Sequence, residues 1–392
     1  MFRSRHCPPS GVSVGGHKLF YALFYIADEL GPDIERLDGA VRAYSESSDR
    51  ANYVELLGAV EPLRQDLIRT LNWAPQGTSA LIAMRADLLD YLRADDELKL
   101  VDYDFLHLLT SWFNRGFLEL RRIDWNTPAF ILKKLIRYEL VHEIKDWQDL
   151  QRRLASDRRC FTFFHPQLPD EPLIIVEVAL TKGLVANIND VLHRSSPDSK
   201  DNEPEELDAA IFYSINNCHA GLHGISFGNF LIKQIADELA SEIRSLRHYA
   251  TLSPIPGLRA WLEPIRDARS AEWLGPEDYV LLADLDVVEW FREDDTVANL
   301  KPLMERICAH YLTEEKREGQ PLDAVARFHL NNGARIERIN WMGDLSEQRL
   351  GESYGMLVNY VYDRRSVIKN HEAYVGKGRI ATSSAISSKA NF

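Results

Sequence analysis

Near residue 145 the spacing of apolar residues changes from helical to strand-like, so one layer of one element type cannot house the chain. Before that point "GTSALIAMRADLLDYLRADDEL" (77–98) offers Thr78 or Ser79 as a cap, then Leu81, Met84, Leu88 and Leu92 on one helical face. "DYDFLHLLTSWFNRGFLELRRIDW" (102–125) keeps the rhythm through Phe105, Leu108, Leu109, Trp112, Phe113 and Gly116, and "TPAFILKKLIRYELVHEI" (127–144) opens with Thr127 as cap and Pro128 at the first helical position. After it come "RRCFTFFHP" and "EPLIIVEVALT", apolar β-branched and aromatic runs split by a proline-rich turn, which read as an antiparallel hairpin. The strand-like "AAIFYSINN", the glycine-bearing "CHAGLHGISFGN", the helical "FLIKQIADELASEIRSL" and the short strand "HYATL" follow in that order. The expectation is an α+β chain: a loose arm over 1–16, a helical bundle over 17–144 and a mixed α/β domain over 145–392.

Three segments of the second part carry chemistry. In "HGISFGN", His223, Gly224, Ile225, Ser226, Phe227, Gly228 and Asn229 form a turn between a strand and a helix. Glycines there let backbone N–H groups face an anion at the helix start. The turn is neither a Walker loop nor a Rossmann fingerprint, and a plain turn explains the same residues. In "TLSPIPG" (251–257), Ser253 precedes Pro254, which confines it to extended backbone and holds its hydroxyl still. The plainer reading is a strand-ending Ser-Pro turn. One helix and one strand after the glycine turn, Ser253 is expected at the same sheet edge. In "DAVARFHLNNGARIERINWMGD" (323–344), His329 reads as a strand residue facing away from Phe328 and Leu330, ahead of a hairpin at Asn332-Gly333. Asn359, Tyr360 and Tyr362 in "GMLVNYVYD" read as core and edge residues, and "HEAY" (371–374) is not the zinc pattern HExxH.

Composition removes whole classes of function. A net charge of -13 speaks against nucleic acid, which needs a basic face, but leaves room for a small anion. The 4 cysteines are scattered, without metal-ligand spacing, and suit reduced cytoplasmic thiols better than a disulfide scaffold. The apolar run from Leu19 is too short to span a bilayer, and the first 16 residues lack the apolar stretch of a secretory signal.

The strings "FFHPQLPDEPLIIVEVALT", "FYSINNCHAGLHGISFGNFLIKQIADEL", "ATLSPIPGLRAWL" and "FHLNNGARIERINWMGD", with "TSWFNRGFLELRRIDWNTPAFILKKLIRYELVHEI" before them, resemble the malonyl-CoA decarboxylases. The resemblance covers roughly residues 60–365 and fades over the first thirty. It implies a helical, self-associating N-terminal domain and a catalytic domain of the GNAT acetyltransferase type. It implies that Ser253 and His329 are the catalytic pair. It further implies that the turn from His223 to Asn229 holds the CoA pyrophosphate through its backbone, although His223 and Ser226 depart from the GNAT pattern. The expected reaction converts malonyl-CoA to acetyl-CoA and CO2 without metal or other cofactor, because the thioester carbonyl is itself the electron sink. Rival expectations are a GNAT-type acyltransferase and a malonyl-CoA sensor that turns nothing over. A serine hydrolase would need a Gly-x-Ser-x-Gly elbow, which Ser253 lacks.

Overall fold

A computed structural model describes residues 26–27, 29–92, 98–193, 207–225 and 231–390. The described chain is helical up to Trp112 and mixed α/β from there on. By internal contact it divides into two compact units: residues 1–120 with 163–174 and 217–228, and residues 121–162 with 175–216 and 229–392.

The first unit contains α1 (Ile34–Glu46), α2 (Arg50–Val60), α3 (Leu63–Asn72), α4 (Gly77–Tyr91) and α5 (Lys99–Trp112). Asp33 and Asp49 cap α1 and α2 by accepting from Arg36 N and Asn52 N. Neither Thr78 nor Ser79 caps α4. Its cap position is Gln76, and the Thr78 hydroxyl donates to Asn72 Oδ1 instead (2.8 Å). Gly77 is needed there because a Cβ would collide with Leu71 O. The rhythm read through Gly116 stops at Phe113. Asn114 Oδ1 accepts from Gly116 N (3.0 Å) and turns the chain into the first strand, β1 (Glu119–Ile123), which lies inside the stretch read as wholly helical.

The second unit holds most of an eight-stranded sheet. Besides β1 it comprises β2 (Arg158–Phe164), β3 (Ile174–Thr181), β4 (Ala209–Asn217), β5 (His248–Thr251), β6 (Ser253–Pro254), β9 (Arg335–Asn340) and β10 (Leu357–Val361). A separate small hairpin is formed by β7 (Lys316–Arg317) and β8 (Gln320–Pro321). The order is β1-β2-β3-β4-β5-β10-β6, with β9 beside β10. Backbone bonds from Leu173 to Phe163 and from Leu180 to Asp157 run in opposing order, so β2 and β3 form the expected antiparallel pair. The helix α6 (Ala129–Tyr138) is capped by Pro128, while Thr127 Oγ1 accepts from Asp124 N (3.0 Å). The proline therefore stands one position earlier than expected.

β4 and β5 are parallel and joined through α7 (Leu231–Glu242), as a crossover requires. They pair only from Ala209↔His248 to Phe212↔Thr251, with one more bond from Leu252 N to Phe212 O. Beyond that point β4 continues to Asn217, while the other chain swings to pair with β10 as β6. Ala209, Ile211, Tyr213, Ala250, Leu252, Leu357 and Val361 share one buried cluster. Strand alternation then assigns Phe212, Ser214, Thr251 and Ser253 to the opposite face. The parting of two parallel strands leaves a place in the sheet where side chains, rather than ladder bonds, face each other.

His329 is not on a strand. It belongs to α8 (Ala324–Asn331), capped by Asp323, whose Oδ1 accepts from Ala326 N (2.8 Å). Asn332-Gly333 is no hairpin either. Gly333 N donates to Leu330 O, Ala334 N donates to His329 O, and Gly333 has φ +82°, the paired-bond ending of a helix by a left-handed glycine. A Cβ at Gly333 would strike Val367 O, so the position demands glycine on two counts.

Candidate active site

Ser253 and His329 meet. Ser253 Oγ lies 3.0 Å from His329 Nε2 and donates to Thr251 Oγ1 at 2.8 Å. Their exposures are 5% and 3%, so bulk water does not compete for these bonds. Pro254 and the ladder contact Val358↔Ser253 hold the serine backbone. On the helix side, His329 O is tied by the Schellman bond, so backbone and ring are both fixed.

The imidazole has partners on every side. Its Nδ1 is 2.7 Å from Tyr362 Oη, its ring stacks on Tyr360 with centroids 4.5 Å apart, and Phe328 meets it edge-on at 5.1 Å. Burial alone drives its pKa down to about 3, leaving a neutral ring at physiological pH. Burial likewise raises the Tyr362 phenol well above its ordinary value, so it stays protonated. Thr251 Oγ1 also accepts from Tyr360 N (3.2 Å), and Asn359 Nδ2 donates to Thr251 O (2.7 Å). These bonds sit where the β9–β10 register shifts between Asn359 and Tyr360. The irregularity is how a threonine hydroxyl comes to stand in the ladder.

The result is one chain of hydrogen bonds, Tyr362–His329–Ser253–Thr251, without a charged member. Tyr362 and Thr251 were not singled out as site residues in the sequence. Tyr360 and Tyr362 are core residues as expected, but Tyr362 also holds the ring.

A second buried polar cluster occupies the same unit. Glu139 accepts from Ser214 Oγ (2.7 and 2.9 Å), Val141 N and His142 N, yet burial, helped by Glu177, raises its pKa to about 7. Arg153 Nη1 donates to Glu177 Oε2 at 2.6 Å, and its other nitrogens reach Asp149 Oδ1 and His142 O.

The glycine turn belongs to the first unit, where only its first three residues are described. Ala220–Leu222 form one 3₁₀ turn, His223 and Gly224 are exposed, Gly224 has φ +78°, and Ile225 is buried. Ser226, Phe227, Gly228 and Asn229 lie outside the described residues. Among the described residues no group of three or more His, Cys, Asp and Glu side chains is arranged to hold a metal ion.

Residues 30–113 match the malonyl-CoA decarboxylase N-terminal domain, and residues 116–391 match the malonyl-CoA decarboxylase C-terminal domain. The chain belongs to the malonyl-CoA decarboxylase family. Solved relatives cover nearly the whole chain. The malonyl-CoA decarboxylase of Rhodopseudomonas palustris is 45% identical, with a TM-score of 0.88 over 99% of this chain and 97% of the other. That of Agrobacterium vitis is 44% identical, with a TM-score of 0.88 over 96% of this chain and 92% of the other. The mitochondrial malonyl-CoA decarboxylase of Anser anser anser is 34% identical over 376 residues, covering 90% of this chain and 72% of that protein. In this chain the Ser253–His329 pair and its two flanking hydroxyls form a buried site joined by hydrogen bonds.

Proposed function

We propose that this chain decarboxylates malonyl-CoA to acetyl-CoA and CO2, with Ser253 and His329 as the working pair. The observation that carries the reading is the 3.0 Å contact between Ser253 Oγ and His329 Nε2 inside a buried, neutral hydrogen-bond chain. With Ser253 donating to Thr251, Nε2 bears the imidazole proton and Tyr362 donates to Nδ1.

On substrate binding the Ser253 hydroxyl turns from Thr251 to the malonyl carboxylate, and Thr251 donates to Ser253 in its place. The bond between Cα and the carboxylate breaks. Its electron pair becomes the C=C bond of an enolate, the thioester π pair moves to oxygen, and CO2 departs. His329 Nε2–H stabilises the enolate oxygen and delivers the proton that completes the methyl group; the ring, left as the anion, takes a proton from water, and the hydroxide released carries away the charge of the lost carboxylate. A neutral site suits this reaction. A buried cation held on the carboxylate would stabilise the starting anion more than the dispersed charge of the enolate.

The turn from His223 to Asn229 is read as the cradle of the CoA pyrophosphate in a GNAT-like catalytic domain. Self-association through the helical domain belongs to the same proposal. It is supported by exposed Tyr53, Val54, Leu57 and Val60 on α2 and by Trp73, 85% exposed. Sedimentation should find a homo-oligomer that substitutions at these positions dissociate. Among the described residues no helix is long and apolar enough to cross a membrane, and a cytoplasmic place is proposed with the rest.

The test is incubation of purified protein with malonyl-CoA and chromatography of the products. Stoichiometric acetyl-CoA and CO2, lost in Ser253→Ala and His329→Ala, is the expected result. Bound but unchanged malonyl-CoA would identify a sensor, and free CoA with malonate a hydrolase.

A further inference from the structure

Arg85, in the middle of α4, is 1% exposed, yet it is remote in sequence from everything it touches beyond the helices. Its Nη1 donates to Gly221 O at 2.7 Å and to His223 O at 2.8 Å, and its Nε donates to Asp102 Oδ1 of α5 at 2.8 Å. One guanidinium thus ties two consecutive helices to two carbonyls of the segment that opens the glycine turn. The approach is close enough that a Cβ at Gly221 would collide with Ile82 O, so the segment lies directly on α4.

Anchoring the carbonyl also aims a donor. In a trans peptide the carbonyl of one residue and the N–H of the next point in opposite directions. Holding His223 O inward against Arg85 therefore turns Gly224 N–H outward. Gly224 is exposed, has φ +78°, and its N–H has no acceptor among the described residues. The neighbouring donors are already used: Leu222 N bonds His219 O, and Ile225 N bonds Leu222 O. A carbonyl bonded to a cation also polarises its peptide, which strengthens the N–H on the far side as a donor to an anion.

We infer that Arg85 is a positioning residue for CoA binding: from the helical domain it fixes the His223–Gly224 peptide so that the Gly224 N–H is presented to a phosphate oxygen. The inference rests on reading the turn as the pyrophosphate cradle. It makes the helical domain part of the recognition of the nucleotide end of the substrate. Asp102 orients the guanidinium, and the planar fork is what allows three acceptors to be served at once. Lysine in its place keeps the charge but cannot make that set of bonds.

The experiment compares malonyl-CoA with malonyl-pantetheine, which lacks the pyrophosphate and nucleotide. KM and kcat are measured for wild type, Arg85→Lys and Asp102→Asn. Wild type should prefer malonyl-CoA by KM. Arg85→Lys should shrink that preference about tenfold through the KM for malonyl-CoA, as expected for a charge-assisted bond misplaced. Asp102→Asn should shrink it in the same direction by less, and it carries the test if Arg85→Lys does not fold. Equal losses on both substrates would assign Arg85 a purely structural role and overturn the inference, as would an unchanged preference in both variants. A wild type without any preference would instead overturn the reading of the turn itself.

Discussion

Two polar clusters of nearly equal burial sit in the second unit, and they are built on opposite principles. Around Glu139, Glu177 and Arg153 the cluster is built on the Arg153–Glu177 ion pair, beside a Glu139 carboxyl that takes N–H and O–H donors. Around Ser253 and His329 the groups are neutral and are joined in a line of hydroxyls and imidazole nitrogens. A buried ion pair fixes its partners firmly, because removing either one leaves an uncompensated charge. A neutral hydrogen-bond chain can re-aim its protons without leaving a charge behind. The first kind of cluster is suited to holding a fold, and the second to meeting a substrate.

That contrast shows most clearly in the rates. Substituting His329→Gln or Ser253→Ala should lower kcat by about 10²–10⁴-fold while malonyl-CoA still binds and the thermal midpoint barely falls. Activity within a factor of about two of wild type would remove that residue from the reaction.

Substitution on the ionic side should act the other way. Arg153→Met leaves Glu177 buried without its partner and should cost about 3–5 kcal/mol of stability, read by denaturant titration. A loss of kcat without loss of stability would mean that the ionic cluster works on the substrate after all.

The pH dependence of stability separates the clusters by sign. His329 in the folded chain binds its proton only near pH 3, against 6.5 ordinarily. The unfolded chain therefore takes up the proton first, and stability is lost as pH falls from about 6.5 toward 3. Glu139 keeps its proton up to about 7, against 4.5 ordinarily, so its contribution is complete below 4.5 and lost as pH rises through 7. His329→Gln should flatten the acid side of the stability curve and Glu139→Gln the other side. Each tenfold difference in proton affinity between the folded and unfolded chain is worth at most about 1.4 kcal/mol. Changes on the same side for both variants would contradict this division.

The smallest expected effect is that of Tyr362→Phe, which removes one bond to His329 Nδ1. About a tenfold fall in kcat with KM little changed is the expected outcome. No change would show that the ring is held by Tyr360 stacking alone.

Much of the second unit was legible because strands, turns and crossovers are written in neighbouring residues. "AAIFYSINN" and the long amphipathic helix that follows the glycine turn announced β4 and α7 in order. The error at His329 is instructive. Phe328, His329 and Leu330 alternate like a strand, but Asp323 caps the segment and Gly333 ends it, and those two signals mark a helix of eight residues. Alternation over three residues is weaker than a capped start and a left-handed stop.

Local residue order was enough to set the helices up to Trp112, the strand runs of β2, β3 and β4 and the proline-restrained backbone of Ser253, because each depends on backbone preferences within a few residues. No local pattern could place Ser253 beside a histidine 76 residues away, or have that ring held by a tyrosine 33 residues further on. Those juxtapositions come from folding. β10 pairs with β5, β6 and β9 at once and shifts its register at Asn359/Tyr360. That long-range pairing brings Thr251, Ser253 and Tyr362 to one place, and the burial it creates keeps the imidazole neutral.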